Sequence, residues 1–249
     1  MTKRQSFISV FLLFLAMLPA ATMNAQISLD LESGYVSTGY NDVRIPGDQG
    51  TLFSLNEDLE AKGRIFYRVR LSYNINSRHI LSVLYAPLTL ESNGSIPGDI
   101  FFAGEVFPAS SEIDATYKFN SYRLTYRYEI VQKPKLDFGL GFTAKIRDAK
   151  IALASGDLSG EKVNVGFVPI INFRLFWRPA EKFGILLEGD ALAAPQGRAE
   201  DVLVAATYKF SDRLGVKAGY RILEGGADND EVYTFSLFHY ASAGIFINL

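Results

Sequence analysis

The chain has 249 residues, no cysteine and a formal net charge of -2 at pH 7, and 48% of its residues are hydrophobic. The absence of cysteine excludes a disulfide framework, and the charge is too close to balance to indicate nucleic acid as a partner. No stretch after residue 25 reaches about eighteen consecutive apolar residues, which argues against a helical membrane span.

The N-terminal residues follow the order of a secretory signal. Lys3 and Arg4 precede an apolar run that ends at Pro19, and small residues then lead to a cleavage point after Ala25. An uncleaved transmembrane anchor is the alternative, but the apolar run is shorter than the about 20 residues that a helical span needs. The sequence therefore predicts a cleaved signal peptide at residues 1–25.

The remaining chain alternates between apolar and polar residues in about ten segments, which predicts an all-β fold. The predicted strands cover 27–40, 63–76, 78–91, 112–130, 135–152, 163–178, 183–194, 201–210, 214–224 and 231–248. Short and longer connections follow one another along the chain, as they do in an up-and-down antiparallel barrel. An even number of strands returns both chain ends to the short-turn rim. We therefore expect residues 26–249 to form one barrel domain.

Two segments make the strand count less certain. The alternation of 112–130 changes phase near Asn120 and Ser121, which predicts a bulge there, and Pro87 interrupts the alternation of 78–91. A barrel of eight strands, with residues 27–40 or another segment outside it, is the alternative to ten.

The two faces of the segments differ in a way that favours a membrane barrel. In residues 64–75 one parity is apolar and includes Tyr67 and Tyr73, and the other carries three arginines. If the apolar face points outward, only a closed barrel satisfies every backbone hydrogen bond in lipid. A soluble β-sandwich also alternates, but charges confined to one face favour the barrel.

The polar face predicts the lining of the lumen, with eleven basic and six acidic residues. The lining set is Asp30, Glu32, Arg64, Arg68, Arg70, Arg123, Arg127, Glu129, Asp137, Lys145, Arg147, Arg174, Glu188, Asp190, Lys209, Lys217 and Arg221. One hypothesis is that these charges pair and fill a narrow interior, as in barrels of about eight to ten strands. The other is that the basic surplus leaves a narrow path for small anions.

The chain resembles small outer-membrane β-barrel proteins of Gram-negative bacteria. The resemblance rests on the signal peptide, the alternating strands and the final strand, whose segment at 243–249 ends in Leu249 where an aromatic residue is usual. It implies a location in the outer membrane, with short periplasmic turns, longer extracellular loops and a monomeric barrel. It also implies lipid, lipopolysaccharide and the barrel-insertion machinery as partners. The expected role is structural or that of a narrow porin, without enzymatic activity or cofactor.

Two alternatives assign a more specific function. The segment at 239–244 is similar to the His-x-Ser element of outer-membrane lipid A deacylases, which implies His239 as a general base for a lipid-modifying enzyme. In that family the histidine and serine are two residues apart. Here Ser242 is three residues away and Ala241 occupies the nucleophile position, so catalysis is not the favoured interpretation.

The second alternative is a binding or uptake function for an apolar molecule through the phenylalanine-rich loop at 99–107. Those residues also suit a hairpin that extends above the membrane. The acidic loop at 225–231 offers closely spaced oxygen ligands for calcium, but glycine, asparagine and aspartate are ordinary turn residues. We therefore predict no metal site.

Overall fold

The computed structural model describes residues 26–195 and 197–249, which form an all-β structure. None of these residues belongs to a helix of the length and apolarity that crossing a membrane requires. The predicted signal peptide at residues 1–25 lies outside the described residues. In chain order the strands are β1 (Gln26–Arg44), β2 (Phe53–Ser54), β3 (Glu60–Lys62), β4 (Arg64–Asn74), β5 (His79–Ala86), β6 (Thr89–Ser95), β7 (Ile100–Phe102), β8 (Glu105–Phe107), β9 (Glu112–Lys133), β10 (Leu136–Ser155), β11 (Leu158–Trp177), β12 (Phe183–Ala194), β13 (Gly197–Lys209), β14 (Leu214–Asp228) and β15 (Tyr233–Asn248).

Ten of these strands close into an antiparallel barrel. β1, β4, β5 and β9 to β15 pair in that order, and β15 pairs back onto β1 from Ser28–Asn248 to Arg44–Tyr233. The predicted fold class and the count of ten strands are therefore confirmed. Because the count is even, residue 26 and Leu249 lie on the same rim, which also carries the short turns. Three of the five longer connections, near 153–162, 195–200 and 225–230, consist largely of strand extensions.

The outer surface of the barrel is apolar and aromatic, as the alternation predicts. Along β9 the side chains of every second residue from Tyr122 to Ile130 are exposed, and those of the residues between them are buried. Aromatic side chains also lie exposed near the short-turn rim, at Trp177, Phe183 and Phe210. Amphipathic rings at this level form the interfacial girdle that is typical of a barrel in a bilayer.

The bulge predicted near Asn120 and Ser121 is wrong. β9 pairs regularly with β10 through that point, and the register shifts instead at Ile130. The apolar pattern changes there because the inward residues change character, whereas the strand keeps its phase. Below Ser121 the inward side chains are polar and mostly charged, and above it Tyr117 and Ile113 point inward into an apolar environment.

That environment is an apolar cap, formed where the long loops fold into the mouth of the barrel. Loop residues supply its top, namely Ile45, Phe53, Leu55, Leu59, Ile100, Phe102 and Phe107, and each is at most 3% exposed. They pack on strand residues such as Val36, Tyr117 and Phe238. The long-loop end therefore has a hydrophobic core of its own, which covers the mouth beside β1, β4, β6 and β9.

The wall is weakest between β4 and the strands that follow it. The β4–β5 ladder runs only from Val69–Tyr85 to Asn74–Ile80, and pairing resumes at Lys62–Glu91 through β3 and β6. Pro87 separates β5 from β6 within this gap and has no amide hydrogen to donate to a ladder. Pro87 therefore helps to make the β4–β5 ladder short.

Candidate functional site

The middle of the lumen is filled by eight charged side chains that we call the charge belt. Its members are Glu32, Arg68, Arg123, Glu188, Asp190, Asp201, Lys217 and Arg221, and none is more than 5% exposed. The belt has four acidic and four basic groups, so its formal charge is zero. Removing charges from water to this extent is costly, and ion pairs and hydrogen bonds offset that cost.

Asp201 is the acceptor that joins three of the belt arginines. Arg68 Nη2 donates to Asp201 Oδ2 at 2.8 Å, and Arg123 and Arg221 also donate to this carboxylate. The three arginines come from β4, β9 and β14, on different sides of the barrel. The carboxylate therefore links distant parts of the wall through charge-assisted hydrogen bonds.

Arg123 resolves a repulsion that the strand register creates. Asp190 and Asp201 are direct neighbours on β12 and β13, and like charges opposite each other destabilise a sheet. Arg123 Nη1 lies 2.6 Å from Asp190 Oδ2, while Nη2 of the same guanidinium donates to Asp201. Thr143 and Asn172 donate to the other oxygen of Asp190, at 2.6 and 2.9 Å. The two carboxylates are thereby held side by side.

On the opposite side of the belt, basic groups surround Glu32. Arg221 donates to both of its carboxylate oxygens, and Lys217 Nζ lies 3.0 Å from Oε2. Glu188 lies between this group and β4, with Arg70 Nη1 at 3.2 Å and Arg221 Nη2 at 4.0 Å. Every charge in the belt thus has at least one partner of opposite sign.

The belt divides the lumen into two cavities. Two of the voids that its residues line measure about 10 Å³ each, which is room for about one water molecule. On the long-loop side lies an outer cavity of about 660 Å³, bounded by the apolar cap and by β9 to β15. On the short-turn side lies an inner cavity of about 360 Å³.

The residues predicted to line the lumen are distributed over these levels. Seven belong to the belt, Lys145 and Arg147 line the outer cavity, and Asp30, Arg70, Arg127, Arg174 and Lys209 line the inner cavity. Glu129 is buried and accepts a hydrogen bond from Arg127 Nε at 2.9 Å. Asp137 pairs with Arg178, whose Nη2 lies 3.0 Å from Oδ1. Arg64 is exposed at the start of β4, and its guanidinium donates across the wall gap to the carbonyl oxygen of Thr89.

At the short-turn rim the charges are solvated. Lys209 Nζ lies 2.6 Å from Asp212 Oδ1, and both side chains are largely exposed. The hydrogen bond and the positive charge of Lys209 hold the pKa of the Asp212 carboxyl below its usual value. Pairs of this kind contribute little to stability, so the strong interactions are those of the belt.

Asp201, the most connected acidic group, is absent from the predicted lining. It stands at the first position of the predicted strand 201–210, next to a predicted loop, whereas β13 begins at Gly197. Asp201 has the same parity as Lys209, which the sequence places in the lumen. The alternation of this strand therefore indicates that Asp201 also points inward. Leu203 and Ala205, which lie between Asp201 and Lys209, are apolar and also point inward. They interrupt the polar face from which the lumen lining is predicted.

The structure does not bring His239 and Ser242 together as a histidine–serine pair. His239 lies on the outer face of β15, and its Nδ1 shares a hydrogen bond with the hydroxyl of Tyr220. Ser242 is 6% exposed and points into the lumen, on the other face of the strand. His79 has a similar arrangement, with Nδ1 2.7 Å from the hydroxyl of Tyr126. Both histidines are thus partners of outward-facing tyrosines.

The two loop candidates have structural roles. Segment 99–107 contains the hairpin β7–β8, and its Ile100, Phe102 and Phe107 side chains are buried in the apolar cap. In segment 225–231 the Asn229 side chain accepts hydrogen bonds from the backbone amides of Glu231 and Val232. No group of three or more histidine or acidic residues suited to a metal ion occurs in the described part of the chain.

The comparisons with known proteins concern the fold. No protein-family model matches this sequence, and no curated protein matches it significantly. The outer-membrane protease OmpT of Escherichia coli is 11% identical with a TM-score of 0.55, over 94% of this chain and 99% of that one. Ail, the attachment invasion locus protein of Yersinia pestis, in complex with the heparin analogue sucrose octasulfate, is 12% identical with a TM-score of 0.43, over 91% and 100%. Neisserial surface protein A is 13% identical with a TM-score of 0.34, over 90% and 96%. The similarity to OmpT, together with the closed ten-stranded barrel, shows the fold of an outer-membrane β-barrel.

Proposed function

We propose that this chain, which has the fold of an outer-membrane β-barrel, is a structural outer-membrane protein with a lumen closed to solutes. The observation that carries this proposal is the charge belt, in which eight buried charges of zero net sum pair across the lumen. A conducting path for small ions needs continuous water, and two of the voids lined by belt residues have room for only about one water molecule each.

Of the two hypotheses for the lumen, paired charges that fill the interior are favoured over a path for small anions. The surplus lies outside the belt, on residues of the two cavities and the rims. Since these groups are separated by the neutral belt, they do not line one continuous route. The narrow porin is therefore the less favoured role.

The same proposal places the protein in the outer membrane as a monomer, with a cleaved signal peptide and no enzymatic activity. Its direct partners are then lipid, lipopolysaccharide and the barrel-insertion machinery. The exposed aromatic girdle and the apolar outer face support the contact with lipid.

Single-channel conductance of the refolded protein in a planar bilayer tests the closed lumen. We expect a silent bilayer for the wild type, with folding verified by heat-modifiable gel mobility. The double variant Arg68→Ala/Asp201→Ala removes one positive and one negative side chain from the belt, so it keeps the charge balance while opening space. We expect it to conduct ions.

A matched control is the double variant Lys209→Ala/Asp212→Ala, which removes an ion pair at the exposed rim. It should stay silent. Steady conductance of the wild type would contradict the proposal, and anion preference in that current would favour the porin.

A further inference from the structure

The outer cavity contains a lysine whose charge has no partner. Lys145 is 3% exposed, and its ammonium forms no ion pair with a carboxylate of residues 26–195 or 197–249. Its nearest defined interaction is with the face of the Phe119 ring, at 4.6 Å from Nζ to the ring centroid. In register it lies beside Arg123, another cation, which makes its position more costly.

Arg147 stands two residues further along the same face of β10 and is also without a carboxylate. Its Nη2 donates to the side-chain oxygen of Asn164, and its Nε is buried without a hydrogen-bond partner among the described residues. Thr234 lines the same cavity, and its buried hydroxyl also has no hydrogen-bond partner among the described residues. Two buried polar groups with unused hydrogen-bonding capacity and one cation without an ion pair thus line one space.

The other cations of the cavity are neutralised. Lys150 pairs with Glu161 at 3.5 Å and Lys162 pairs with Glu231 at 3.0 Å. Arg198 Nη2 lies 2.7 Å from Glu224 Oε1. The unbalanced positive charge is therefore confined to Lys145 and Arg147, next to the belt and at the bottom of the cavity.

Buried cations without a counter-charge are costly, and an anion between them removes that cost. The walls above the two cations are apolar or aromatic and include Tyr117, Phe119, Val168, Leu192, Leu223 and Phe238. The volume of about 660 Å³ is within the range of small-molecule sites, about 300–1,000 Å³. The rim is exposed at Asn229 and Asp230, so the cavity opens on the long-loop side.

We propose that the outer cavity binds an amphipathic organic anion, with its carboxylate or sulfonate on Lys145 and Arg147 and its apolar body against the aromatic wall. An inorganic anion would satisfy the cations but leave the wall unfilled. A neutral apolar molecule would fill the wall and leave the cations unpaired. This site goes beyond the structural role and does not depend on whether the belt conducts.

The test is isothermal titration of the full-length refolded protein in detergent with 1-naphthoate, after subtraction of binding to micelles alone. We expect saturable binding at one site. Lys145→Met and Arg147→Gln should each weaken it about tenfold, the usual effect of losing a charged hydrogen bond. Lys150→Met is the matched control, because it removes a cation that lines the same cavity but already has a partner, and it should change the affinity less than about twofold.

Two further probes separate the contribution of the two cations to binding from that of the apolar wall of the cavity. 1-Naphthamide, a neutral analogue, should bind more weakly than 1-naphthoate and should not respond to Lys145→Met. Inorganic phosphate should not compete at equal concentration. The proposal is overturned by the absence of saturable naphthoate binding, by unchanged affinity in both charge variants, or by equal binding of naphthamide. Effective competition by phosphate would show a simple anion site and also overturn it. Heat-modifiable mobility confirms that each variant is folded, and Arg147→Gln keeps the test decisive if Lys145→Met fails to fold.

Discussion

Arg221 holds the carboxylate of Glu32 with two nitrogens, Nε at 2.7 Å from Oε1 and Nη2 at 2.9 Å from Oε2. The two residues are 189 positions apart, on β14 and β1, and reach each other past β15. Gly244 of β15 is paired in register with both Glu32 and Lys217, and its lack of a side chain leaves the space in which these groups meet. The contact joins the two ends of the chain inside the barrel.

Replacement of Arg221 by Met should be strongly destabilising. It leaves Glu32 without its bidentate partner and Asp201 with two arginines instead of three, and both carboxylates are buried. Breaking a buried ion pair in this way costs about 3–5 kcal/mol in the free energy of unfolding. Urea unfolding of the barrel in phospholipid vesicles measures it. Arg213→Ala, in an exposed turn, should change the free energy by less than about 0.5 kcal/mol. A loss below about 1 kcal/mol for Arg221→Met would mean that the belt is hydrated.

Replacement of Lys145 by Met should increase the free energy of unfolding, whereas replacement of Arg221 should lower it. The substitution removes a buried charge without a partner and keeps most of the side-chain volume, so we expect a gain of roughly 1–3 kcal/mol in the absence of ligand. The same urea titration applies. Lys150→Met, at a half-buried and paired lysine, is expected to stay within about 0.5 kcal/mol of the wild type. A clear loss of stability in Lys145→Met would show that the carboxylates of the belt already stabilise its charge.

Gly219 lies on β14 between Lys217 and Arg221, where a side chain has no room. A Cβ atom there would be 2.1 Å from the carbonyl oxygen of Val204 and 2.7 Å from Ala205 Cβ. Gly219→Ala must therefore shift β13 relative to β14 and should cost about 1–3 kcal/mol. Gly98→Ala is the control, because no atom lies within 4 Å of its new Cβ. Similar unfolding midpoints for the two variants would refute the steric argument.

His239→Ala should leave the lipid A of the host membrane unchanged. The imidazole faces outward with Tyr220 as its partner, and Ser242 is on the opposite face of the strand. Mass spectrometry of lipid A from cells that express the wild type, His239→Ala or His79→Ala provides the measurement. If acyl chains are lost with the wild type and with His79→Ala but kept with His239→Ala, the protein is a lipid-modifying enzyme through His239.

The barrel can be predicted from the sequence because each strand is indicated by residues within that strand. Each strand needs only the alternation of its own residues, and even the weak segment 78–91 contains two strands, β5 and β6, that both pair with β9. The pairing of charges across the lumen is different. Which residues meet at one level depends on the tilt and stagger of all ten strands, so the contact of Arg123 with Asp190 and Asp201 does not follow from any single strand.

The apolar cap can be predicted from the sequence only in part. Leu55, Leu59 and Phe102 belong to loops or to very short strands, where no periodicity indicates burial. The inward residues of β9 next to the cap are apolar and imitate a change of phase, so the sequence predicts a bulge that the strand does not have. A long apolar loop above a barrel is the signal that could have indicated a capped mouth.

The unequal ladders of the wall imply an order of local opening. The seam between β1 and β15, where the chain closes on itself, is paired from Ser28–Asn248 to Arg44–Tyr233, whereas the β4–β5 ladder ends at Val69–Tyr85. Backbone amides protected by few neighbours exchange their hydrogens first. Thermal fluctuation should therefore loosen the barrel between β4 and β5, and the junction of first and last strands should be among the last regions to exchange with deuterated water.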